Sequence, residues 1–312
     1  MKSTATILIL VTTLACAALT AATPLNAADA ERLENKSLPA TSGGTLTFKA
    51  SFGAIDIKTH DQDKVTYAAV LKPGNGWFGK SSGELIDQIV FDYENSGGDV
   101  KITMKWKDGK QPRNVNLNAR HTLLVPAKYN LDVRTAGGSI SAADITGKVA
   151  AHTSGGSLKF GKVNGAIKAH TSGGSINLED VKGNADVETS GGSIKVGSVI
   201  GNVSAHTSGG SIKVGAVSGA MKGHTSGGSI SAELAGQIEQ PLELTTSGGS
   251  IHLTVPNDFK ADLTASTSGG KVNCDLPVEG TVKPSSINGK VNGGGPKVSL
   301  STSGGSIKVA KR

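Results

Sequence analysis

One phrase, Thr-Ser-Gly-Gly, recurs verbatim from Thr41, Thr153, Thr171, Thr189, Thr207, Thr225, Thr246, Thr267 and Thr302. A variant, Thr135-Ala136-Gly137-Gly138, opens a run in which the interval is 18 residues without exception as far as Thr225. The later intervals are 21, 21, 19 and 16, the 19 leading to a degenerate copy at Ser286. A fixed period of this length is the mark of a chain built by stacking like units, each too small to bury its own apolar side.

Aligned copies show what each place does. Counting from the threonine, the sixth place holds Ile140, Leu158, Ile176, Ile194, Ile212, Ile230, Ile251 and Val272. The eighth holds Ala142, Phe160, Leu178, Val196, Val214, Ala232, Leu253 and Cys274, and the eleventh a valine or isoleucine such as Ile145 or Val163. Places five to eight alternate polar and apolar, which is the period of a half-buried strand, and places fourteen to eighteen do so again. Glycine pairs separate the runs at sharp turns, where positive φ is expected. Each unit therefore reads as two or three short strands. Stacked units place equivalent residues about 4.8 Å apart along a continuous core. The fold class expected is all-β, a β-solenoid of about ten rungs.

Composition agrees where the argument needs it. The 312 residues include 43 glycines and only 4% aromatics, which counts against a large mixed α/β enzyme core. Nine of the 11 aromatics lie between Phe48 and Tyr129, ahead of the regular repeats. Alternation at Leu46–Lys49, Ala54–Lys58, Val65–Val70, Ile89–Tyr93 and Val100–Lys105 predicts longer strands there. We expect residues 41–134 to be a β-rich capping portion continuous with the solenoid, and residues 135–312 the solenoid itself. A separate sandwich domain is the alternative. The terminal run Ser306–Lys311 is expected to cap the stack or to pair with another copy.

The first residues read as an export signal: Lys2, then the uncharged run Ile7–Ala22, then Pro24-Leu25-Asn26-Ala27 with cleavage near Ala27. Lipidation at Cys16 is the less favoured alternative, because Thr13 stands where a leucine is expected. Residues 28–40 would then be a flexible mature N-terminus. The expected location is exported: periplasmic, cell-surface or extracellular, with no integral membrane segment in the mature chain. Cys274 would remain as the one cysteine, so no internal disulfide could form.

Leu123-Leu124-Val125-Pro126, then Leu131-Asp132-Val133-Arg134-Thr135-Ala136-Gly137-Gly138-Ser139-Ile140 and the repeated Thr-Ser-Gly-Gly-Ser-Ile, resemble a bacterial β-strand-repeat family. That family, a domain of unknown function, carries a provisional adhesin label. A second copy of the phrase runs from Val255-Pro256 through Leu263 to Val272, and the resemblance covers roughly Thr41 to Lys311. It implies a β-helical fold, right-handed coiling and an envelope or surface location, and it supplies no catalytic residues.

Several columns of side chains are candidates for function. His152, His170, His206 and His224 share the eighteenth place with Glu188. Imidazoles are good metal ligands, but a straight column spaces them along a line instead of converging on a point. A solvated polar ladder is the competing account, in which mild acid adds like charges and loosens the stack. Lys159, Lys195, Lys213 and Lys308 share the seventh place and could contact a polyanion by multivalency; lysines that discourage edge-to-edge aggregation are the alternative. Glu179, Asp180, Asp186 and Glu188 crowd one unit and raise the question of glycoside hydrolysis. Their columns also hold Lys162, Lys168 and Lys222, so ion pairs between rungs are the simpler expectation.

The net charge of +7 suits an acidic surface, but few aromatics accompany the repeat lysines, so nucleic acid is not expected. No cofactor is expected. The function these residues point to is noncatalytic: an adhesin-like or envelope scaffold module offering repeated ladders to a glycan or cell-envelope polymer. A polysaccharide-acting β-helix enzyme is one alternative. A periplasmic ligand sensor built around Trp77 and Trp106 is another.

Overall fold

A computed structural model describes residues 32–74, 83–112 and 115–312. The expected export signal, Cys16 and Trp77 lie outside the described residues. The chain forms two long sheets whose strands run mostly parallel, and almost every apolar residue on their inner sides is buried in one continuous core. Within the regular run each unit adds two short strands to one sheet, such as Ile140–Ala142 and Ile145–Thr146. It adds one five-residue strand, such as Val149–Thr153, to the other. Partners are in register at the 18-residue interval, Val149 beside Ile167 and Ile167 beside Ala185. This is a β-solenoid.

The recurring phrase is explained letter by letter. The threonine is buried: Thr153, Thr171, Thr189, Thr207 and Thr225 are all at 0% exposure, on the inward side with Val149 and Ala151 and their equivalents. Its hydroxyl donates to a glycine carbonyl of the neighbouring rung at 2.6–2.8 Å. The same oxygen accepts the amide of the second glycine of its own turn at 3.2–3.4 Å. The serine after the glycines accepts the next rung's amide on Oγ, as Ser157 does from Ser175 at 3.2 Å.

Close approach, not positive φ, demands the second glycine. A Cβ on Gly156 would sit 2.0 Å from the Gly138 carbonyl oxygen, whereas one on Gly155 would meet nothing within 4 Å. In these turns the expected positive φ is found at Gly138 but not at Gly155 or Gly156. The place-thirteen glycines differ: Gly147, Gly165, Gly183 and Gly201 have φ of 149–154° and also lie against the backbone of the preceding rung.

Chain order and stack order part company at both ends. Strands β1 (Arg32–Pro39), β2 (Thr45–Ala50), β3 (Ala54–His60), β4 (Lys64–Pro73), β5 (Ile89–Ser96), β6 (Asp99–Trp106), β7 (Leu117–Pro126), β8 (Asn130–Thr135) and β9 (Ile140–Ala142) build the N-terminal end, with a short helix α1 (Gly83–Ile86). The rung of β2 and β3 lies between β6 and β7 on one side and β8 and β9 on the other. At the opposite end, strands Lys297–Thr302 and Ile307–Lys311 slip between the rung at residues 242–255 and the rung at 261–274. The expectation that Ser306–Lys311 caps the stack is therefore corrected: this strand has a parallel partner on each side. An antiparallel hairpin, Val278–Lys283 and Ser286–Val291, stands beyond the rung at 261–274, against its strand Ala261–Thr267.

Two further expectations change. Ala50, not Thr41, lies beside Thr135, so the turn Ser51-Phe52-Gly53 belongs to the column and the exposed Thr41 phrase sits at another corner, where Gly43 bonds Lys128. The degenerate copy at Ser286 is a hairpin strand and forms no rung. Arg32–Pro39, expected to be flexible, is a strand paired over its whole length with β4, held by backbone ladders its weak hydrophobic alternation does not announce.

Aromatic residues fill the N-terminal end. Phe48, Tyr67, Phe91, Tyr93 and His121 pack ring to ring at 5.2–6.2 Å. Arg32 donates to the Ile89 carbonyl at 2.7 Å, and Tyr93 donates to Glu34 at 2.8 Å, which ties β1 to β5 across the gap between the sheets. No described helix is long and apolar enough to cross a membrane.

Candidate ligand-binding face

The five-residue strands point two side chains per rung outward, at the sixteenth and eighteenth places. Register turns these into columns. The eighteenth-place column runs Lys49, Arg134, His152, His170, Glu188, His206, His224, Thr245 and Ser301. The structure thus brings together the five residues expected there from sequence, in that order. His152 and His170 stack with ring centroids 4.9 Å apart and planes within 3°; His206 and His224 do so at 5.0 Å and 4°. Glu188 interrupts the two pairs, its carboxylate 3.4 Å from His170 Nδ1. Partial burial first, then the charges of His170 and Arg134 beside it, hold His152 below the ordinary histidine range. Among the described residues, no three His, Cys, Asp or Glu side chains converge as a metal would require.

Beside it, the sixteenth-place column runs Asp132, Ala150, Lys168, Asp186, Ser204, Lys222, Glu243 and Ser299. Lys168 lies 3.9 Å from Asp186 and Lys222 lies 3.8 Å from Glu243, all four largely exposed. A shallow trough runs along this column, lined by Lys168, Asp186, Ser204, Lys222, Pro241 and Glu243. Glu243 was not singled out from sequence; the lengthened interval around it hides its column.

Asp180 departs from the ion-pair expectation. Its Oδ1 accepts the Ser198 amide at 3.1 Å, as Asp144 accepts that of Lys162 at 2.8 Å. Place ten thus stitches backbone between rungs, a role shared with Asn184 and Asn202 at place fourteen.

The opposite sheet carries the lysine column. Its order is Ser141, Lys159, Asn177, Lys195, Lys213, Ser231, His252, Lys308 and Asn273. Lys308, far along the chain from Lys213, joins the same line because the terminal rung is inserted; it also lies 4.0 Å from Asp275. Cys274, expected to be buried, is half-buried on the last short strand, and that burial pushes its thiol up. Trp106 is buried and stacks on Phe52 at 5.8 Å.

Fold and face together define a parallel β-solenoid that displays in-register side-chain ladders. A family model described as Toastrack DUF4097 matches residues 80–310, and the chain belongs to that family. No curated protein matches. Among solved structures, one from Bacteroides fragilis NCTC 9343, provisionally named an adhesin, is 12% identical, covering 90% of this chain and 98% of that one, with a TM-score of 0.39. One from Parabacteroides distasonis ATCC 8503, provisionally named a lipid binding protein, is 18% identical, covering 89% and 96%, with a TM-score of 0.39. One from Clostridium sporogenes ATCC 15579, provisionally named a cell adhesion protein, is 14% identical, covering 90% and 99%, with a TM-score of 0.23.

Proposed function

We propose that this chain is a noncatalytic exported module, adhesin-like or an envelope scaffold, presenting its ladders to a glycan or cell-envelope polymer. The observation that carries the reading is the alignment of outward residues into straight columns at the strand spacing, with His152, His170, Glu188, His206 and His224 in one and Lys168, Asp186, Lys222 and Glu243 in the next. A polymer with a regular repeat meets the same contact at each step, so weak contacts add without any single deep site. The exposed ion pairs contribute little to folding and leave these side chains free to exchange partners.

Co-sedimentation with insoluble cell-wall polymer tests the reading. Replacing Lys168 and Lys222 together by alanine should leave the melting temperature unchanged and lower retention several-fold. A second pair, Lys195→Ala with Lys213→Ala, asks whether the opposite sheet takes part. Retention untouched by both pairs would remove the ladder mechanism. Turnover of an acidic glycan that vanishes in Glu179→Gln with Asp180→Asn would replace the noncatalytic reading by an enzymatic one. Protease shaving of intact cells, with lysed cells as control, distinguishes surface display from a periplasmic scaffold.

A further inference from the structure

The two ends of the stack are finished differently. At the N-terminal end the outer strands are joined to each other: Arg32 on β1 bonds the Ile89 carbonyl of β5, and Asn95 on β5 bonds the Pro39 carbonyl of β1. At the C-terminal end the last strand, Val278–Lys283, pairs with Ser286–Val291 on one side, and among the described residues no strand lies on its other side. It carries five exposed residues in six, with Val282 at 59% exposure. We propose that this open edge pairs with the same edge of a second copy, antiparallel and about a twofold axis at Thr281.

Hydrogen-bond parity selects the groups that face outward. Lys283 and Ser286 flank a two-residue turn and are partners in the hairpin. Such a closing pair exchanges both its bonds, so Lys283, Thr281 and Glu279 bond inward. Val278, Gly280 and Val282 are left to present amide and carbonyl to the open edge. The turn itself is fixed, because the Pro284 and Ser285 carbonyls accept the amides of Val272 and Thr267 at 2.9 Å. The edge is therefore held extended before any partner arrives.

Charge selects the register. With Thr281 opposite its own copy, Glu279 faces Lys283 of the second chain, and Lys283 faces Glu279, in the closer, non-hydrogen-bonded positions. Val282 then lies opposite Gly280, which has no side chain to obstruct it. Neither Glu279 nor Lys283 forms an ion pair within its own chain among the described residues. The pairing joins two hairpins into one four-stranded sheet and sets two solenoids end to end. A second copy fits this edge better than a foreign strand because it brings both complementary charges in one register. The inference does not depend on the proposed ligand.

Sedimentation equilibrium of the full chain in the micromolar range tests it. The wild type should show a monomer–dimer equilibrium. Glu279→Lys or Lys283→Glu alone should weaken it at least ten-fold, and the two together should restore it. In a background carrying Cys16→Ser and Cys274→Ser, Thr281→Cys should give a disulfide-linked dimer under mild oxidation, while Thr264→Cys, on the strand beyond Ser286–Val291, should not. Circular dichroism confirms that each variant folds. A chain monomeric at every concentration, or a dimer indifferent to the charge reversals and to crosslinking at position 281, overturns the proposal.

Discussion

The hydroxyl of Thr267 donates a hydrogen bond to the carbonyl oxygen of Gly305 at 2.6 Å, although 38 residues separate them. The carbonyl of Gly249, in turn, receives the hydroxyl of Thr302 at 2.7 Å. Residues 297–311 are thus a filling between two rungs that precede them in the chain, and Arg312 clamps them by bonding the carbonyls of Leu234 and Ala235 at 2.9 Å.

Removing that filling should cost more than removing an ordinary end. A chain ending at Gly295 leaves strands Leu242–Thr246 and Ala261–Thr267 without their shared partner. We expect residues 261–291 to become protease-sensitive while the regular run stays protected, as limited proteolysis with mass spectrometry would show. Adding residues 296–312 as a separate peptide should restore protection.

Thr189→Val keeps the shape of a fully buried side chain and deletes its hydroxyl. The Gly174 carbonyl and the Gly192 amide then lose their partner, at a cost of about 1–3 kcal/mol in urea unfolding. Thr189→Ser, which keeps the hydroxyl, should recover much of that loss.

Two glycines of one turn should respond in opposite ways. Gly155→Ala adds a methyl group in open space and should change stability by less than about 0.5 kcal/mol. Gly156→Ala drives a methyl group into the Gly138 carbonyl and should cost more than about 2 kcal/mol, because backbone must move on both rungs. Thermal melts of the two variants side by side give the comparison.

Acid should weaken the N-terminal end through His121. Its Nδ1 lies 2.9 Å from the Tyr67 hydroxyl and its Nε2 3.0 Å from the Phe52 carbonyl, and burial lowers its pKa from 6.5 to about 4 despite that carbonyl. The unfolded chain therefore takes up this proton first. The stability it confers is complete above pH 6.5 and drains as pH falls to about 4, a loss on the order of 3 kcal/mol. His152, also lowered, adds to the loss with the same sign. Unfolding free energy followed against pH should show this slope, flattened in His121→Gln. A stability indifferent to pH between 7 and about 4 would contradict it.

The period, the inward columns and the outward ladders are legible in the residues because an 18-residue unit repeats its alternation faithfully. The inward threonine was not read from the sequence, although Val149, Ala151 and Thr153 fall on one side of a strand, because a polar residue beside glycines reads as surface. Stack order was hidden for a physical reason. Residues 297–311 and residues 261–274 both carry the Thr-Ser-Gly-Gly turn that can follow residues 242–255, but Lys271 stands where the serine should be: its amide donates to the Ser306 Oγ, and it offers no Oγ onward. That single residue is a mark of the stack order, and the regular alternation around it hides it. The partner of Glu243 was lost with the change of interval. The columns on the face follow from register, while what they touch does not, since a ladder of exposed side chains carries no shape of its ligand.

The two inserted rungs bracket a stretch whose units are interchangeable. Duplication or loss of one 18-residue unit between Thr135 and Thr225 would lengthen or shorten the stack by a single step while both closures keep every partner they have. Such a gene can vary the reach of its product in whole increments, and natural variants should differ there by multiples of the unit far more readily than at either end.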